Sequence, residues 1–255
     1  MAVKRLWLLP CGGLTVDQGI ITYRQGNGQK TWIPVVSVLI ETDDGLVLFD
    51  TGLDPDGLTD PEKAWKHKAK VITSMTKEND IRRQLSLLGW TPADIRYVVL
   101  SHMHYDHTGG LRFFAESQIY VQKEEYRFAF YPDSLAEELY MPHHFEFPLK
   151  YQLLEGDEQL VDGIYILSTP GHSPGHQSLM VRLPRSGTAV FTADAVYSWE
   201  NIRRNIPPGN PWNMDLAVDS IKRLVQITNW EKGRLFITHD PDFWKVQQAA
   251  PYAYQ

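Results

Sequence analysis

Residues 101–107 read Ser-His-Met-His-Tyr-Asp-His and follow directly on the strand-like apolar run Tyr97–Leu100. Three imidazoles and a carboxylate fall within six positions of a chain that has nine histidines in all. A strand end so crowded with ligand groups makes physical sense around a cation. Alternate residues of an extended segment project to the same side, so His102 and His104 can grip one ion. The backbone then turns toward Thr108-Gly109-Gly110 and carries Asp106 and His107 to a second position nearby. Neutral imidazole suits zinc, iron, cobalt or nickel, and a carboxylate adds charge neutralisation.

Three more candidates stand at the ends of strand-like runs. His172 follows Ile164–Leu167 in Thr169-Pro170-Gly171-His172-Ser173-Pro174-Gly175-His176, Asp194 follows Ala189–Thr192, and His239 follows Leu235-Phe236-Ile237-Thr238. In layered α/β proteins functional groups gather beyond one set of strand ends. Five His and two Asp suffice for two cations with positions left for water, provided one Asp bridges. Of the other histidines, His176 reads as a loop brace and His67, between Lys66 and Lys68, as solvated. His143 and His144 fit either a pocket lining or the surface. Cys11 reads as a small buried residue.

The rest of the chain alternates strands and helices. β-rich runs at 34–40, 46–49, 97–100, 118–122, 163–167, 188–192 and 234–238 are bounded by turn chemistry such as Asp44-Gly45. Apolar spacing predicts helices over Lys77–Leu88, stopped by Gly89, and over Met214–Trp230, capped by Asn213 or Asp215. Thr91-Pro92-Ala93-Asp94 resembles a capped turn. The pattern predicts one α/β domain over residues 1–255. Two stretches fit it poorly. Thr15–Thr31 reads as a mobile loop or irregular hairpin, and 123–150 is aromatic and broken by Pro132, Pro142 and Pro148.

Composition narrows the partners. With 43% hydrophobic residues the chain is globular, and its net charge of −6 disfavours nonspecific nucleic-acid binding. A single cysteine excludes an internal disulfide framework and any Cys-rich zinc module. No apolar run approaches the ~20 residues of a membrane helix. After Lys4-Arg5, Pro10 cuts the run Leu6–Leu9 short of the roughly 7–15 residues of an export segment. A soluble cytoplasmic protein is therefore expected, with that run as its opening strand.

His102-x-His104-x-Asp106-His107, with His172, Asp194 and His239, resembles the metal signature of the metallo-β-lactamase superfamily. The match includes Asp50-Thr51-Gly52. More finely, the chain resembles the N-acyl homoserine lactonases. The similar stretches are Val3-Lys4-Arg5-Leu6, 101–110, 169–179, Asp194-Ala195-Val196-Tyr197 and Ser220-Ile221-Lys222-Arg223-Leu224. The departures, Thr15–Thr31 and Tyr126–Phe147, would border the acyl-chain site.

The resemblance implies an αβ/βα sandwich of two mixed β-sheets flanked by helices. It implies two divalent metal ions per chain, zinc first and iron or cobalt as alternatives. His102, His104 and His172 would hold one, Asp106, His107 and His239 the other, with Asp194 bridging. A hydroxide between the metals would open the lactone ring of an N-acyl homoserine lactone. Tyr197 would donate to the substrate carbonyl, Asp106 would pass a proton to the leaving alkoxide, and Tyr105 is a candidate for facing the substrate.

The alternatives on this scaffold are a β-lactamase, a glutathione thioesterase or a diiron redox enzyme. The first would ordinarily bring an export signal, the second a cationic patch, and the third a Glu at the position of His104. A noncatalytic metal module would close its sites with four ligands. The eight tryptophans and the aromatic stretch offer a subunit interface, so a homodimer is expected.

Overall fold

The computed structural model describes residues 3–134 and 136–255. Among these lie β1 (Val3–Asp17), β2 (Lys30–Thr42), β3 (Gly45–Phe49), β4 (Ile72–Ser74), β5 (Ile95–Val99) and β6 (Gln118–Gln122). They are followed by β7 (Lys150–Leu154), β8 (Glu158–Val161), β9 (Ile164–Ser168), β10 (Gln177–Leu183), β11 (Gly187–Phe191) and β12 (Arg234–Phe236). One sheet has the order β4-β1-β2-β3-β5-β6-β7 and the other β12-β11-β10-β9-β8. Both are mixed. In the first, β3, β5, β6 and β7 pair in parallel beside antiparallel β1–β2–β3; in the second, only β11 and β12 are parallel.

The period-two alternation of the strands sorts their side chains into layers. Leu6 and Leu8 of β1 and Val38 and Ile40 of β2 meet Ile166, Leu179, Val181 and Phe191 of the second sheet. The intervening Trp7, Leu9 and Leu39 face the other way and pack with Ile81, Leu85 and Phe114. On the far side, Met180, Val190 and Leu235 are covered by Ile221 and Leu224 of the helix Met214–Trp230. Each large aliphatic side chain so buried contributes roughly 1.5–3 kcal/mol. Helices therefore flank two stacked sheets, as the family resemblance implies.

Several local expectations are met. The helix Met214–Trp230 has the predicted bounds, and the Asn213 side chain accepts from the Leu216 N–H at 3.1 Å. Residues 77–88 form not one helix but a 3₁₀ turn, Lys77–Asn79, and an α-helix, Ile81–Leu87. The break falls at Asp80, whose carboxylate caps the second piece by accepting from the Arg82 N–H.

Pro10 does not end the opening strand. β1 runs on to Asp17, absorbing the proline at a register shift between Pro10 and Gly13. Thr15–Thr31 is an irregular hairpin whose Asp17 carboxylate accepts from the N–H groups of Gly19 and Gly28. The aromatic stretch contains a helix, Lys123–Phe130, which aromatic content and the following prolines had obscured. Its rings divide, with Tyr140 and Phe145 buried and Tyr131 exposed.

The ends of β3, β5, β9, β11 and β12 converge at one edge between the sheets. There Gln177, opening β10, donates its backbone N–H to Ser101 O at 2.8 Å and its side-chain amide to Leu100 O at 2.7 Å. Gly52, just past β3, takes a φ of 69°, and a Cβ there would meet the Cβ of Cys11 at 2.5 Å. Cys11 is fully buried, which pushes its thiol up to about 11. We expect native protein at pH 8 to leave Cys11 unlabelled by iodoacetamide, with one label added per chain after unfolding in urea. Stoichiometric labelling of the native state would contradict this packing.

Candidate metal centre

Beyond β5 the chain stays extended through His104 and then turns into the helical segment Tyr105–Thr108. The extended stretch puts His102 and His104 on one side, with Nε2 of the first 2.9 Å from Nδ1 of the second. His172, in the loop after β9, brings its Nε2 to 3.0 Å from the same His104 nitrogen. The helical segment carries Asp106 and His107, whose Oδ2 and Nε2 lie 3.6 Å apart, and His239 joins them from beyond β12.

Asp194 stands between the two groups. Its Oδ2 is 3.8 Å from His102 Nε2 and 3.4 Å from His172 Nε2, while its Oδ1 is 3.3 Å from His107 Nε2 and 3.2 Å from His239 Nε2. One oxygen faces each set. All seven candidate ligands are thus brought together, and all seven are buried. Tyr197 is there too, its hydroxyl donating to Asp194 Oδ2 at 2.7 Å. Tyr105 lines a recess of about 100 Å³ with Asp106, Asp194, Tyr197 and His239.

The residues fit a pair of dications. His107 Nε2 and Asp194 Oδ1 are buried without a hydrogen-bond partner among the described residues. Such atoms cost several kcal/mol when left uncompensated. Three outward nitrogens, by contrast, are held: His102 Nδ1 by Ser101 Oγ at 3.0 Å, His107 Nδ1 by Asp50 Oδ2 at 2.8 Å, and His239 Nδ1 by the Pro34 carbonyl at 2.8 Å, while His172 Nδ1 has no partner among the described residues. Outer partners of this kind fix the tautomer of a ligating imidazole and aim its free lone pair inward.

The electrostatics divide the site. Burial, reinforced by neighbouring imidazoles, holds His102 and His104 well below the usual histidine range and His172 down to about 4. These rings are neutral and able to ligate. For His107, burial is outweighed by the carboxylates of Asp194, Asp106 and Asp50, which raise its pKa. For His239 it is outweighed chiefly by Asp194. Positive charge is wanted on that side. Burial raises Asp106, whereas Asp194 is held low against its burial by the surrounding histidines, His239 first.

Several supporting residues were not singled out from the sequence. Glu125 is a buried carboxylate accepting from Met103 N–H at 2.9 Å, Ser173 Oγ at 2.5 Å, Gly175 N–H at 3.1 Å and Tyr140 Oη at 3.2 Å. It ties the His102–His104 segment to the His172 loop. Asp50 accepts from the Ser101 N–H at 2.7 Å and holds His107, from a left-handed backbone with φ 60°. His176 braces the loop as read: its Nε2 accepts the Asp194 N–H at 3.0 Å, and its Nδ1 donates to the Thr169 carbonyl. His67 is on the surface, hydrogen-bonded to Glu138 O. We expect Asp50→Asn to weaken metal affinity about 10–100-fold, read by competition with a chelator. Unchanged affinity would remove Asp50 from the support of His107.

The family model described as the metallo-beta-lactamase superfamily matches residues 31–239. The N-acyl homoserine lactonase AiiA of Bacillus thuringiensis subsp. kurstaki is 35% identical over 243 residues, 94% of each chain. The N-acyl homoserine lactonase AttM of Rhizobium radiobacter is 35% identical over 258 residues, 98% of each. Among solved structures, an N-acyl homoserine lactone hydrolase with the product N-hexanoyl-L-homoserine at its catalytic metal centre superposes with a TM-score of 0.90. It is 33% identical and is covered over 100% of both chains. The chain belongs to the metallo-β-lactamase superfamily, in the branch of the N-acyl homoserine lactonases.

Proposed function

We propose that this protein is a dinuclear metal hydrolase that opens the lactone ring of N-acyl homoserine lactones, and so quenches signalling by them. The observation that carries the reading is the split carboxylate of Asp194, one oxygen toward each histidine set, in a recess that adjoins a larger, mainly apolar cleft. That cleft, of about 530 Å³, is lined by Ile20, Phe128, Leu139 and Trp212, with His104 and His172 at its base. It shares Ile20, His104 and Leu139 with the small recess beside Tyr197. The acyl chain would lie in the larger space and the lactone ring in the recess. The 35% identity to AiiA and AttM supports the same substrate class.

In this reading His102, His104 and His172 hold one ion, Asp106, His107 and His239 hold the other, and Asp194 bridges. Bound there, a pair of dications supplies water with its pKa lowered from about 15.7 toward about 7 and a polarised ester carbonyl. Water adds across the ester C–O bond, with oxygen going to the carbonyl carbon and a proton to the departing alkoxide. Burial and the Asp194 carboxylate raise the Tyr197 pKa well above the usual phenol range. Tyr197 therefore keeps its proton, and its hydroxyl can turn from Asp194 to donate to the carbonyl oxygen. Asp106 lines the recess beside Tyr197, where its carboxyl group can relay a proton to the departing alkoxide. Tyr105 walls the ring side of the recess.

Imidazole and carboxylate donors suit zinc first, and iron or cobalt also. The reading takes residues 1–255 as one domain working as a homodimer in the cytoplasm. The exposed Trp230 and Tyr131, each 88% accessible, support the dimer, which light scattering at twice the chain mass would bear out. A lone free cysteine suits the reducing cytoplasm, and no helix among the described residues is long and apolar enough to cross a membrane.

A proton-release assay should give turnover of a long-chain acyl homoserine lactone at least a hundredfold above that of a penicillin or a glutathione thioester. Preference for either of the latter would overturn the assignment. Tyr197→Phe should retain two metals while losing roughly tenfold or more in lactone turnover. Equal turnover at verified metal content would remove Tyr197 from the chemistry.

A further inference from the structure

Asp54, His143 and His144 form a second cluster outside the seven-ligand centre, with ligand atoms all within 4.8 Å of one another. His144 is 2% exposed, and its Nε2 has no hydrogen-bond partner among the described residues. That nitrogen faces Asp54 Oδ2 at 3.6 Å. The other ring nitrogen, Nδ1, lies 3.2 Å from Thr108 Oγ1, whose own proton goes to the His104 carbonyl at 3.0 Å. A proton on Nδ1 lets Nε2 present its lone pair beside Asp54 Oδ2, as a shared cation would require.

The charge states agree with this. Burial lowers the pKa of His144 and leaves the ring neutral. Asp54 stays ionised: burial opposes it, but contacts with His144, the Asp56 N–H and Arg112 prevail. At 3.6 Å the pair is too far apart for a direct hydrogen bond, and a cation between the two atoms would satisfy both. A separation of 3.6 Å is what two ligands about 2.1 Å from a shared cation would subtend.

The third member completes the set. His143 Nε2 donates to the Ala64 carbonyl at 3.1 Å, which leaves Nδ1 with the lone pair. The remaining oxygen of Asp54 is occupied, accepting from Asp56 N–H and from Arg112 Nη1, each at 2.9 Å. Arg112 also meets Asp56 Oδ1 at 2.8 Å. The cluster opens on a cavity of about 450 Å³, lined also by Thr59, Asp60 and Lys63, with room for water on the remaining coordination positions. Three carboxylates there face two cationic side chains, so the lining is net negative.

We propose that Asp54, His143 and His144 form a further cation site, taking a first-row transition dication of the zinc type. Two imidazoles with one carboxylate select such an ion over calcium or magnesium, which want oxygen ligands. A cation there ties the loop after β3 to the segment Pro142–His144. Through Thr108 it also braces the helical turn that carries Asp106 and His107.

The test is zinc stoichiometry by elemental analysis of holoenzyme equilibrated with buffered zinc. Wild-type protein should hold one more zinc per chain than the His143→Gln/His144→Gln variant. Because His144 is buried, the exposed His143→Gln serves as a second variant, expected to weaken that one zinc at least tenfold with an unchanged unfolding transition of the metal-free protein. Asp194→Asn, which disables the bridged pair, should keep the extra zinc and lose it when His143→Gln is added. Equal zinc content in wild type and double variant overturns the proposal, whatever the filling of the bridged pair. So does an Asp194→Asn protein that binds none.

Discussion

One carboxylate, that of Asp194, has its two oxygens directed at two separate sets of histidines, and the whole sheet edge is arranged around it. Burying five imidazoles and two carboxylates in contact would be strongly unfavourable without added positive charge. The raised pKa values of His107 and His239 show where the site draws that charge when protons alone must supply it. Dications in their place satisfy the same carboxylates and free the imidazole lone pairs, so metal binding and proton release are coupled. Stability at this edge and catalytic readiness are then one electrostatic problem with one solution.

The fold supplies the convergence. The candidate ligands lie in the segments that follow strand ends, with Asp106 and His107 on the helical turn Tyr105–Thr108, where side chains are free to turn inward. What keeps them in place is a second set of hydrogen bonds, from Asp50, Ser101, Glu125, His176 and the Pro34 carbonyl. Glu125 carries the largest share, since four donors from three segments meet on one buried carboxylate. Asp50 and Ala193, with φ of 60° and 44°, sit in the left-handed region beside the ligands they position. Strain of about 1–3 kcal/mol per residue is tolerated there because the surrounding contacts over-determine the backbone.

The candidate ligands that the structure brings together were legible because metal chemistry demands particular side chains near strand ends, and a period of two puts His102 and His104 on one side. The α/β class and the helix Met214–Trp230 were legible from apolar periodicity, and the two-sheet architecture from the family resemblance. The supporting residues were not, because a hydrogen bond between Glu125 and Met103 or between Asp50 and His107 leaves no mark on spacing. β10 was hidden because its opening Gln177 and Ser178 are polar yet buried, bonding across the sheet edge rather than to solvent. Pro10 misled because an antiparallel strand can absorb a proline at a bulge. The helix Lys123–Phe130 was missed because its aromatic residues serve both core and cleft.

The division of labour follows from these contacts. Ligand-bearing segments are locked to strand ends, so their chemistry tolerates little variation. Much of the wall of the cleft comes instead from the two irregular stretches, Ile20 from the hairpin after β1 and Phe128 and Leu139 from the aromatic segment, with Trp212 added from the loop before the helix Met214–Trp230. Neither stretch contributes a ligand to the Asp194 centre. In the proposed reading, a change of side-chain size there would alter the fit of the acyl chain and leave the seven candidate ligands in place. Ile20 and Leu139 also line the recess beside Tyr197. A substitution at either would change the fit of both the chain and the ring, which couples selectivity to turnover at those two positions alone among the four wall residues considered.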